Sequence, residues 1–254
     1  MEKITSLNNS KIMLYSKLIH KKYRDEYNMF LLENYKLISE AVKRNNDIES
    51  IIIREDMLEK YIEDFELNND KIIVVPENVF TKISDTVTSQ GIIGVVKKKA
   101  EYPIQLVDGK TLVLDRLQDA GNLGTLLRSA IGFNFKTILL IDCVDIYNPK
   151  VVRSCGGSIF SLNIVKCTEN EVIELKNNKN FTMLVADMKG KNLYRTNIKN
   201  SNLMVIIGNE GKGVSENLKN TATDKISIPM NQELESLNAG VSGSIIMSYF
   251  NSKN

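Results

Sequence analysis

The stretch ISIPMNQELESLNAGVSGSII, residues 226 to 246, places a turn rich in small polar residues between a short apolar strand and a C-terminal helix. Pro229 ends the predicted strand, and the triplet Ser236, Leu237 and Asn238 opens the predicted helix. The first turns of that helix carry small residues, namely Ala239, Ser242, Gly243 and Ser244. Such a face allows another backbone, a second subunit or a flat ligand to approach closely. A plain helix capped by Ser or Asn is the alternative interpretation.

The length and composition of the chain limit which class of protein it can be. A chain of 254 residues can bury the core of one large domain or of two ordinary ones. It has no long apolar run, and its N-terminus has no leader in which an apolar stretch follows charged residues. We therefore expect a cytoplasmic protein with no membrane partner. The three cysteines, Cys143, Cys155 and Cys167, are far apart and fit neither a disulfide framework nor a zinc site.

The scarcity of histidine argues against several classes of enzyme. His20 is the only histidine, so the chain has almost no residues with which to build a Ser-His-Asp triad, a Cys-His pair or a His-ligated metal site. Positive charge is concentrated near the N-terminus, where Glu2 is the only acid among residues 1 to 24 and the basic residues are Lys3, Lys11, Lys17, Lys21, Lys22 and Arg24. Two interpretations remain open for this cluster, an RNA phosphate contact and a solvated helix face.

Strands and helices alternate along the whole chain, which indicates an α/β protein. We predict a small α/β domain over residues 1–98, with strands at 28–32, 50–53, 71–75 and 91–96. The polar, turn-forming stretch 99–109 is the predicted linker, and residues 110–254 form the predicted second domain. Its strands, at 111–115, 137–141, 181–187 and 203–207, are nearly continuous apolar runs, as in a parallel sheet covered on both faces.

Polar loops follow two of these strands. In LDRLQDAGNLGTLLRSAIGF, residues 114 to 133, a strand ends in a polar turn and a helix begins near Asn122, with Arg128 on its surface. Arginine offers a planar fork suited to phosphate, although Arg128 could instead pair with an acid such as Asp119. In IIGNEGKGVS, residues 206 to 215, glycines surround Glu210. Their spacing matches neither a Walker loop nor GxGxxG, so a simple helix entrance remains an alternative.

The order, spacing and content of the three segments resemble the three motifs of the SpoU (TrmH-type) RNA ribose methyltransferases of the SPOUT superfamily. The resemblance is strong from about residue 110 to 250 and weak over the first hundred residues. It implies a parallel-sheet domain with a deep trefoil knot, a rare exception to unknotted folding, after a small RNA-binding α/β domain. It also implies S-adenosylmethionine (AdoMet) as cofactor and no metal. The cofactor-binding residues implied are Gly208, Ile228, Leu237, Ala186, Asn209 and Met230.

The reaction implied by this resemblance is methyl transfer to a ribose 2′-hydroxyl of structured RNA, ribosomal RNA in the first place. Its catalytic residues correspond to Arg128, Asn122, Glu210, Ser236 and Asn238. The family assigns the arginine as base, whereas a guanidinium loses its proton only above pH ~12, so a phosphate anchor is the open alternative. A homodimer through the helix from Asn238 to about Phe250 is also implied.

Other functions remain to be weighed. The substrate could be transfer RNA instead, or the chain could bind RNA on the same scaffold without turnover. A nucleotide-dependent oxidoreductase would also have alternating strands and glycine-rich loops, but Gly121 and Gly124 are followed by no third glycine at the place that a dinucleotide fingerprint requires. This last alternative is therefore disfavoured.

Overall fold

A computed structural model of the chain describes residues 1–65, 69–198, 200–231, 233 and 235–252. Its contacts divide the chain into two compact units. The N-terminal unit comprises Met1–Lys99 and Asp145–Phe160, and the C-terminal unit comprises Ala100–Val144 and Ser161–Asn254. The linker expected at residues 99–109 and the domain limits beside it stay predictions. The contacts add that residues 145–160 pack with the N-terminal unit.

Elements before residue 100 all belong to the N-terminal unit. Its strands are β1 (Glu2–Lys3), β2 (Met29–Leu32), β3 (Ile48–Arg54), β4 (Ile72–Val75) and β5 (Ile92–Lys97). Its helices in this part are α1 (Ser10–Lys17), α2 (Lys21–Tyr27), α3 (Tyr35–Lys43), α4 (Leu58–Tyr61) and α5 (Glu77–Ile83). The sheet has the order β1-β4-β3-β5-β2, with parallel pairs on the β1 side and antiparallel pairs at β5.

The strands and α-helices after residue 100 form the C-terminal unit, with one exception. The strands are β6 (Lys110–Asp115), β7 (Thr137–Ile141), β8 (Asn163–Lys166), β9 (Thr182–Asn192), β10 (Leu203–Gly208) and β11 (Asp224–Ser227). The helices are α6 (Ala120–Gly132), α7 (Pro149–Cys155), α8 (Glu169–Asn178), α9 (Glu216–Thr221) and α10 (Ala239–Ser252). Helix α7 is the exception, because it lies in the segment that packs with the N-terminal unit.

The sheet of the C-terminal unit is parallel, as predicted. Its order is β11-β9-β10-β6-β7-β8, and every neighbouring pair is parallel. The strands β6, β7 and β10 are buried along almost their whole length, which explains their continuous apolar sequences. The deep knot implied by the family resemblance stays a prediction, because strand order and register do not define how the chain threads.

One buried ion pair corrects the expectation for the basic N-terminal cluster. Arg24 is only 2% exposed, and its guanidinium contacts the Asp145 carboxylate at 2.7 Å. It also donates hydrogen bonds to the carbonyls of Leu18 and Ile19, at 2.9 and 2.6 Å. Arg24 therefore does not contribute to a basic surface. Its bonds hold the turn between α1 and α2.

The two glycines of α10 pack against α6. A Cβ atom on Gly243 would lie 2.3 Å from Leu126 Cδ2 and 3.2 Å from Ile207 Cγ1. A Cβ atom on Gly240 would lie 3.3 Å from the Thr125 side chain. The hydroxyl groups of Ser129 and Ser244 join the same two helices at 2.7 Å. Of the alternatives raised by the small-residue face, the structure therefore favours close approach of another helix of the same chain.

Removing the partner of Arg24 should destabilise the N-terminal unit strongly. Asp145→Ala leaves a buried guanidinium without its counter-ion, which costs about 3–5 kcal/mol in free energy of unfolding. The matched control is Lys3→Ala, which removes an exposed ion pair with Glu55 and should cost less than about 1 kcal/mol. Urea unfolding curves measure both values. Equal losses in the two variants would contradict the structural role of Asp145.

Filling the space at Gly243 should also destabilise the protein. We expect Gly243→Ala to cost about 1–3 kcal/mol, because the added methyl group overlaps a buried leucine in a packed helix contact. Gly132, at the end of α6, is the control, since nothing lies within 4 Å of its added Cβ atom. Gly132→Ala should be neutral or slightly stabilising by about 0.5–1 kcal/mol. Thermal unfolding compares the variants, and a neutral Gly243→Ala would refute the close packing.

Candidate functional site

The carboxyl ends of β6 and β10 lie side by side in the C-terminal unit. Asp115, the last residue of β6, pairs in register with Gly208, the last residue of β10. The loops that follow these two strands therefore begin at the same edge of the sheet. Ligands of open α/β sheets gather at such an edge. The adjacency explains why two segments about ninety positions apart in the sequence contribute to one site.

A pocket of about 810 Å³ opens at this edge. Its volume lies in the range of small-molecule sites, about 300–1,000 Å³. All of the predicted cofactor-binding residues line it: Ala186, Gly208, Asn209, Ile228, Met230 and Leu237. Three of the predicted catalytic residues, Glu210, Ser236 and Asn238, line it as well. The remaining two, Asn122 and Arg128, lie on α6 and are not among the lining residues.

The outer wall of the pocket comes from an irregularity in β9. The pairing with β11 jumps from Val185 opposite Lys225 to Lys191 opposite Ile226, so intervening residues of β9 are left unpaired with β11. Four of them line the pocket: Ala186, Asp187, Met188 and Lys189. Gly190 permits the return of the strand, since its Cβ would lie 2.5 Å from the Ile226 nitrogen. The sequence predicted a strand ending at Asp187, whereas β9 continues to Asn192.

A hydrogen-bonded chain joins the three sequence motifs. The Asn122 amide nitrogen donates to Glu210 Oε1 at 3.1 Å, and the Asn238 amide nitrogen donates to Asn122 Oδ1 at 2.8 Å. Asn238 also accepts from the Val241 amide at 3.2 Å, so it caps α10. The Asn122 side chain is buried. The backbone N–H of Asn122 donates to the Asp119 carboxylate, which caps α6. The predicted residues Asn122, Glu210 and Asn238 thus form one contiguous polar network.

The Glu210 carboxylate is held in its charged form. Burial disfavours the charge, but the Asn122 amide and backbone N–H groups, including those of Asp119 and Gln118, donate to the carboxylate and lower its pKa overall. The oxygens of a charged carboxylate can only accept hydrogen bonds, so Glu210 fixes the Asn122 side chain with its NH₂ group toward the carboxylate. The side-chain oxygen of Asn122 then faces Asn238 and accepts from it. Glu210 therefore acts here as an anionic anchor for the network.

Asn209 stabilises the glycine-rich loop with its side chain. Its amide oxygen accepts from the backbone N–H groups of Gly211 and Lys212, each at 3.0 Å, and its amide nitrogen donates to the Arg116 carbonyl at 2.9 Å. Its backbone pairs with Gly213, which has a φ of +67°. The side chain of Asn209 is thus committed to loop structure, and its contribution to the pocket is the backbone.

Gly208 is required by the protein itself. A Cβ atom there would lie 2.2 Å from the Val214 nitrogen, because the loop folds back onto the end of β10. Glycine is therefore needed here for contact between two backbone segments of the same loop, whether or not a ligand is bound. Its implied role in cofactor binding stays a prediction.

The sequence analysis missed Asp115, which ties two motifs together. This carboxylate is fully buried and accepts two hydrogen bonds from the Arg116 guanidinium, at 2.7 and 2.8 Å, and one from the Ser215 amide at 2.8 Å. The carboxylate raises the pKa of Arg116. Arg116 itself has a φ of +58°, a left-handed conformation that is uncommon for a residue with a side chain. An acid at the end of an apolar strand was the available signal in the sequence.

Arg128 presents an open guanidinium. Its side chain is exposed on α6, and it has no hydrogen-bond or ion-pair partner among the residues that the structure describes. Asp119, the alternative partner considered from the sequence, caps the helix through the Asn122 amide instead. Arg128 is therefore available to an external anion. Ser236 is likewise exposed, and it lies on the pocket wall.

The cysteines are poor nucleophiles in this structure. Burial raises the pKa of the Cys143 thiol to about 11 and that of the Cys167 thiol to about 12. All three cysteines are free. In the described part of the chain, no group of three or more His, Cys, Asp or Glu side chains could hold a metal ion. None of the described helices has both the length and the apolar character to cross a membrane.

Comparison with known proteins finds relatives over the full length of the chain. A 23S rRNA (guanosine(2553)-2′-O)-methyltransferase, RlmP, from Bacillus subtilis is 28% identical over 260 residues, covering 97% of this chain and 98% of that protein. A solved TrmH-family structure from Porphyromonas gingivalis, described as a putative RNA methyltransferase, is 26% identical, with a TM-score of 0.86 over 98% of this chain and 100% of that one. An AdoMet-bound rRNA methyltransferase from Sinorhizobium meliloti shares the fold at 24% identity, with a TM-score of 0.87 over 98% of this chain and 96% of that one.

Both halves of the chain match known sequence families. Residues 9–94 match the MRM3-like substrate binding domain. Residues 109–248 match the SpoU rRNA Methylase family and include every motif residue of the network and pocket described above. This match spans more than half of the chain. The protein therefore belongs to the SpoU rRNA Methylase family.

Proposed function

We propose that the chain transfers a methyl group from AdoMet to a ribose 2′-hydroxyl of ribosomal RNA. The observation that carries this proposal is the network of Asn122, Glu210 and Asn238 beside a pocket suited to a small molecule. The full-length relative in Bacillus subtilis, a 23S rRNA 2′-O-methyltransferase, supports ribosomal RNA as the substrate class. Transfer RNA as substrate and RNA binding without turnover are the alternatives that the experiments below separate.

The pocket fits AdoMet by size and by the chemistry of its wall. Small residues, including Ala186, Ser227, Ala239 and Ser242, leave backbone N–H and C=O groups accessible to a ligand. Gly208, Ile228 and Leu237 would hold the cofactor through backbone, with Asn209 and Met230 beside them. Bound AdoMet supplies an electrophilic methyl group on a sulfonium. The residues that hold the cofactor would fix the direction from which a nucleophile can approach this methyl group.

The chain's own residues align the ribose for this attack. With AdoMet bound, a C–O bond would form as the C–S bond of the sulfonium breaks, and the hydroxyl proton would pass to solvent water, so the reaction would need orientation and stabilisation of negative charge. Asn238 and Ser236 lie on the pocket wall and can hold the ribose by hydrogen bonds. Glu210 and Asn122 keep Asn238 in place. We assign Arg128 to an RNA phosphate near the reacting hydroxyl, because its guanidinium is exposed and has no partner in the described chain.

Replacing Arg128 should separate chemistry from cofactor binding. Arg128→Lys keeps the charge but loses the planar fork, and we expect methyl transfer to ribosomal RNA to fall by about 100-fold. Transfer is measured with methyl-labelled AdoMet, and AdoMet binding is measured by isothermal titration, where the affinity should stay within about 3-fold. Arg195→Lys, at an exposed arginine of the same unit, is the control and should leave both values unchanged.

The same experiments distinguish the alternatives. Unchanged transfer by Arg128→Lys would refute the assigned role of this residue. Absence of heat on titration of the wild-type chain with AdoMet would favour an RNA-binding protein without turnover. Ribose-methylation mapping of total RNA, from cells with and without the gene, identifies the substrate. A site lost from transfer RNA, with ribosomal RNA unchanged, would contradict the proposed substrate class.

We also propose that the protein is a homodimer in which α10 contributes to the interface. Val241 on this helix is 46% exposed, and Tyr194, 57% exposed, contacts the ring of Tyr249 on the same helix. These apolar side chains would be covered by a second copy of the chain. The cytoplasmic location expected from the sequence remains part of the proposal.

Sedimentation velocity tests the dimer. The wild-type chain should sediment as a dimer, and Val241→Glu should shift it toward monomer, because a charge at the centre of an apolar contact is costly to bury. Leu106→Glu, at another exposed apolar residue of the same unit, is the control and should leave the dimer intact. A wild-type chain that sediments as a monomer at micromolar concentration would contradict the proposal.

A further inference from the structure

The corner between α1 and α2 carries an aromatic ring flanked by two lysines. Lys17 Nζ lies 5.3 Å from the centre of the Tyr23 ring, and Lys22 Nζ lies 5.7 Å from it. The His20 ring lies 6.5 Å away, centre to centre, at an angle of 60°. Lys17, His20 and Lys22 are exposed, and Tyr23 is half-buried. We call these four residues the Tyr23 cluster.

The two lysines of the Tyr23 cluster have no acidic partner among the residues that the structure describes. Other cations of the predicted basic segment have acidic partners: Lys3 with Glu55, Lys11 with Glu2, Lys21 with Asp25, and Arg24 with Asp145. Lys17 and Lys22 form no ion pair with any residue of the described chain, and each contacts the Tyr23 ring instead. The cluster therefore keeps positive charge for an external anion.

The buried side chain of Arg24 holds the corner between α1 and α2 in one conformation. Arg24 is buried, and its guanidinium donates to the carbonyls of Leu18 and Ile19, which lie between Lys17 and His20. Asp145 neutralises this guanidinium at 2.7 Å. Leu18 is fully buried in the same turn. The ring and its lysines are thus presented by a rigid turn, which lowers the entropy lost when a ligand is bound.

An aromatic ring with two unpaired cations close to it is suited to single-stranded nucleic acid. Bases of unpaired nucleotides stack on tyrosine rings, while lysines contact the phosphates next to them. A paired base in a helix has no free face to offer, so a site that works by stacking would discriminate against duplex RNA. We propose that the Tyr23 cluster binds an unpaired nucleotide of the RNA substrate, with the base on Tyr23 and adjacent phosphates at Lys17 and Lys22.

This inference rests on the proposed function for the identity of the substrate, but its test does not need methyl transfer. The full-length chain is titrated into two fluorescein-labelled hairpin RNAs and binding is followed by anisotropy. One hairpin has a loop of about eight adenosines, and the other has the same length, a longer stem and a loop of about four nucleotides. Tyr23→Ala should weaken binding to the large-loop hairpin by roughly 10-fold, and Tyr23→Phe, which keeps the ring, should bind within about 2-fold of wild type.

Tyr27 provides a matched control on the same helix. It is 39% exposed, and no lysine of the described chain lies over its ring. Tyr27→Ala should bind both hairpins as the wild type does. The double variant Lys17→Gln and Lys22→Gln should weaken binding, and the slope of its salt dependence should fall by about 0.7 for each phosphate that is no longer neutralised.

Three results would overturn the inference. They are wild-type affinity in Tyr23→Ala, equal loss for both hairpins, and a loss in Tyr23→Phe as large as that in Tyr23→Ala. Titration with AdoMet keeps this result separate from the catalytic proposal, because Tyr23→Ala should bind the cofactor as the wild type does. Selective loss of loop binding in a chain that fails to methylate RNA would support the Tyr23 cluster and refute only the proposed function.

Discussion

The site depends on the parallel pairing of β6 with β10, which brings Asp115 level with Gly208 at one edge of the sheet. This register places the two loops together, and the buried Asp115 carboxylate fixes them by accepting from both Arg116 and Ser215. With both loops fixed, Glu210 on one lies within hydrogen-bond distance of Asn122 on the helix that follows the other. The packing of α10 on α6 then brings Asn238 to the same network.

Much of this arrangement could be predicted from the sequence, because apolar runs and polar loops have direct physical consequences. The runs at 111–115, 137–141 and 203–207 predicted the parallel strands, and the polar loops after the first and the last of them carried candidate site residues. The short strands β1 and β8 were missed, since two and four residues carry little apolar pattern. The continuation of β9 to Asn192 was missed because its later residues are polar and partly exposed.

The remaining differences arise from tertiary contacts that no local pattern encodes. Arg24 looks like one more surface cation beside Lys21 and Lys22, and only the distant Asp145 makes its burial possible. The small residues of α10 indicate close approach but not to which partner, and the answer lies in Leu126 on α6. In the same way, Gly208 is needed because the loop after β10 folds back onto the end of that strand, a contact that no local pattern encodes.

The assignment of residues 145–160 to the N-terminal unit gives the chain an interleaved order. The polypeptide passes from the first unit to the second, returns for Asp145–Phe160, and then leaves again. The counter-ion of Arg24 therefore lies more than a hundred positions downstream, within the part of the sequence that otherwise builds the sheet of the C-terminal unit. During synthesis, the N-terminal unit cannot reach its final packing until residue 160 has emerged from the ribosome. For the same reason, no single cut in the backbone yields two complete halves.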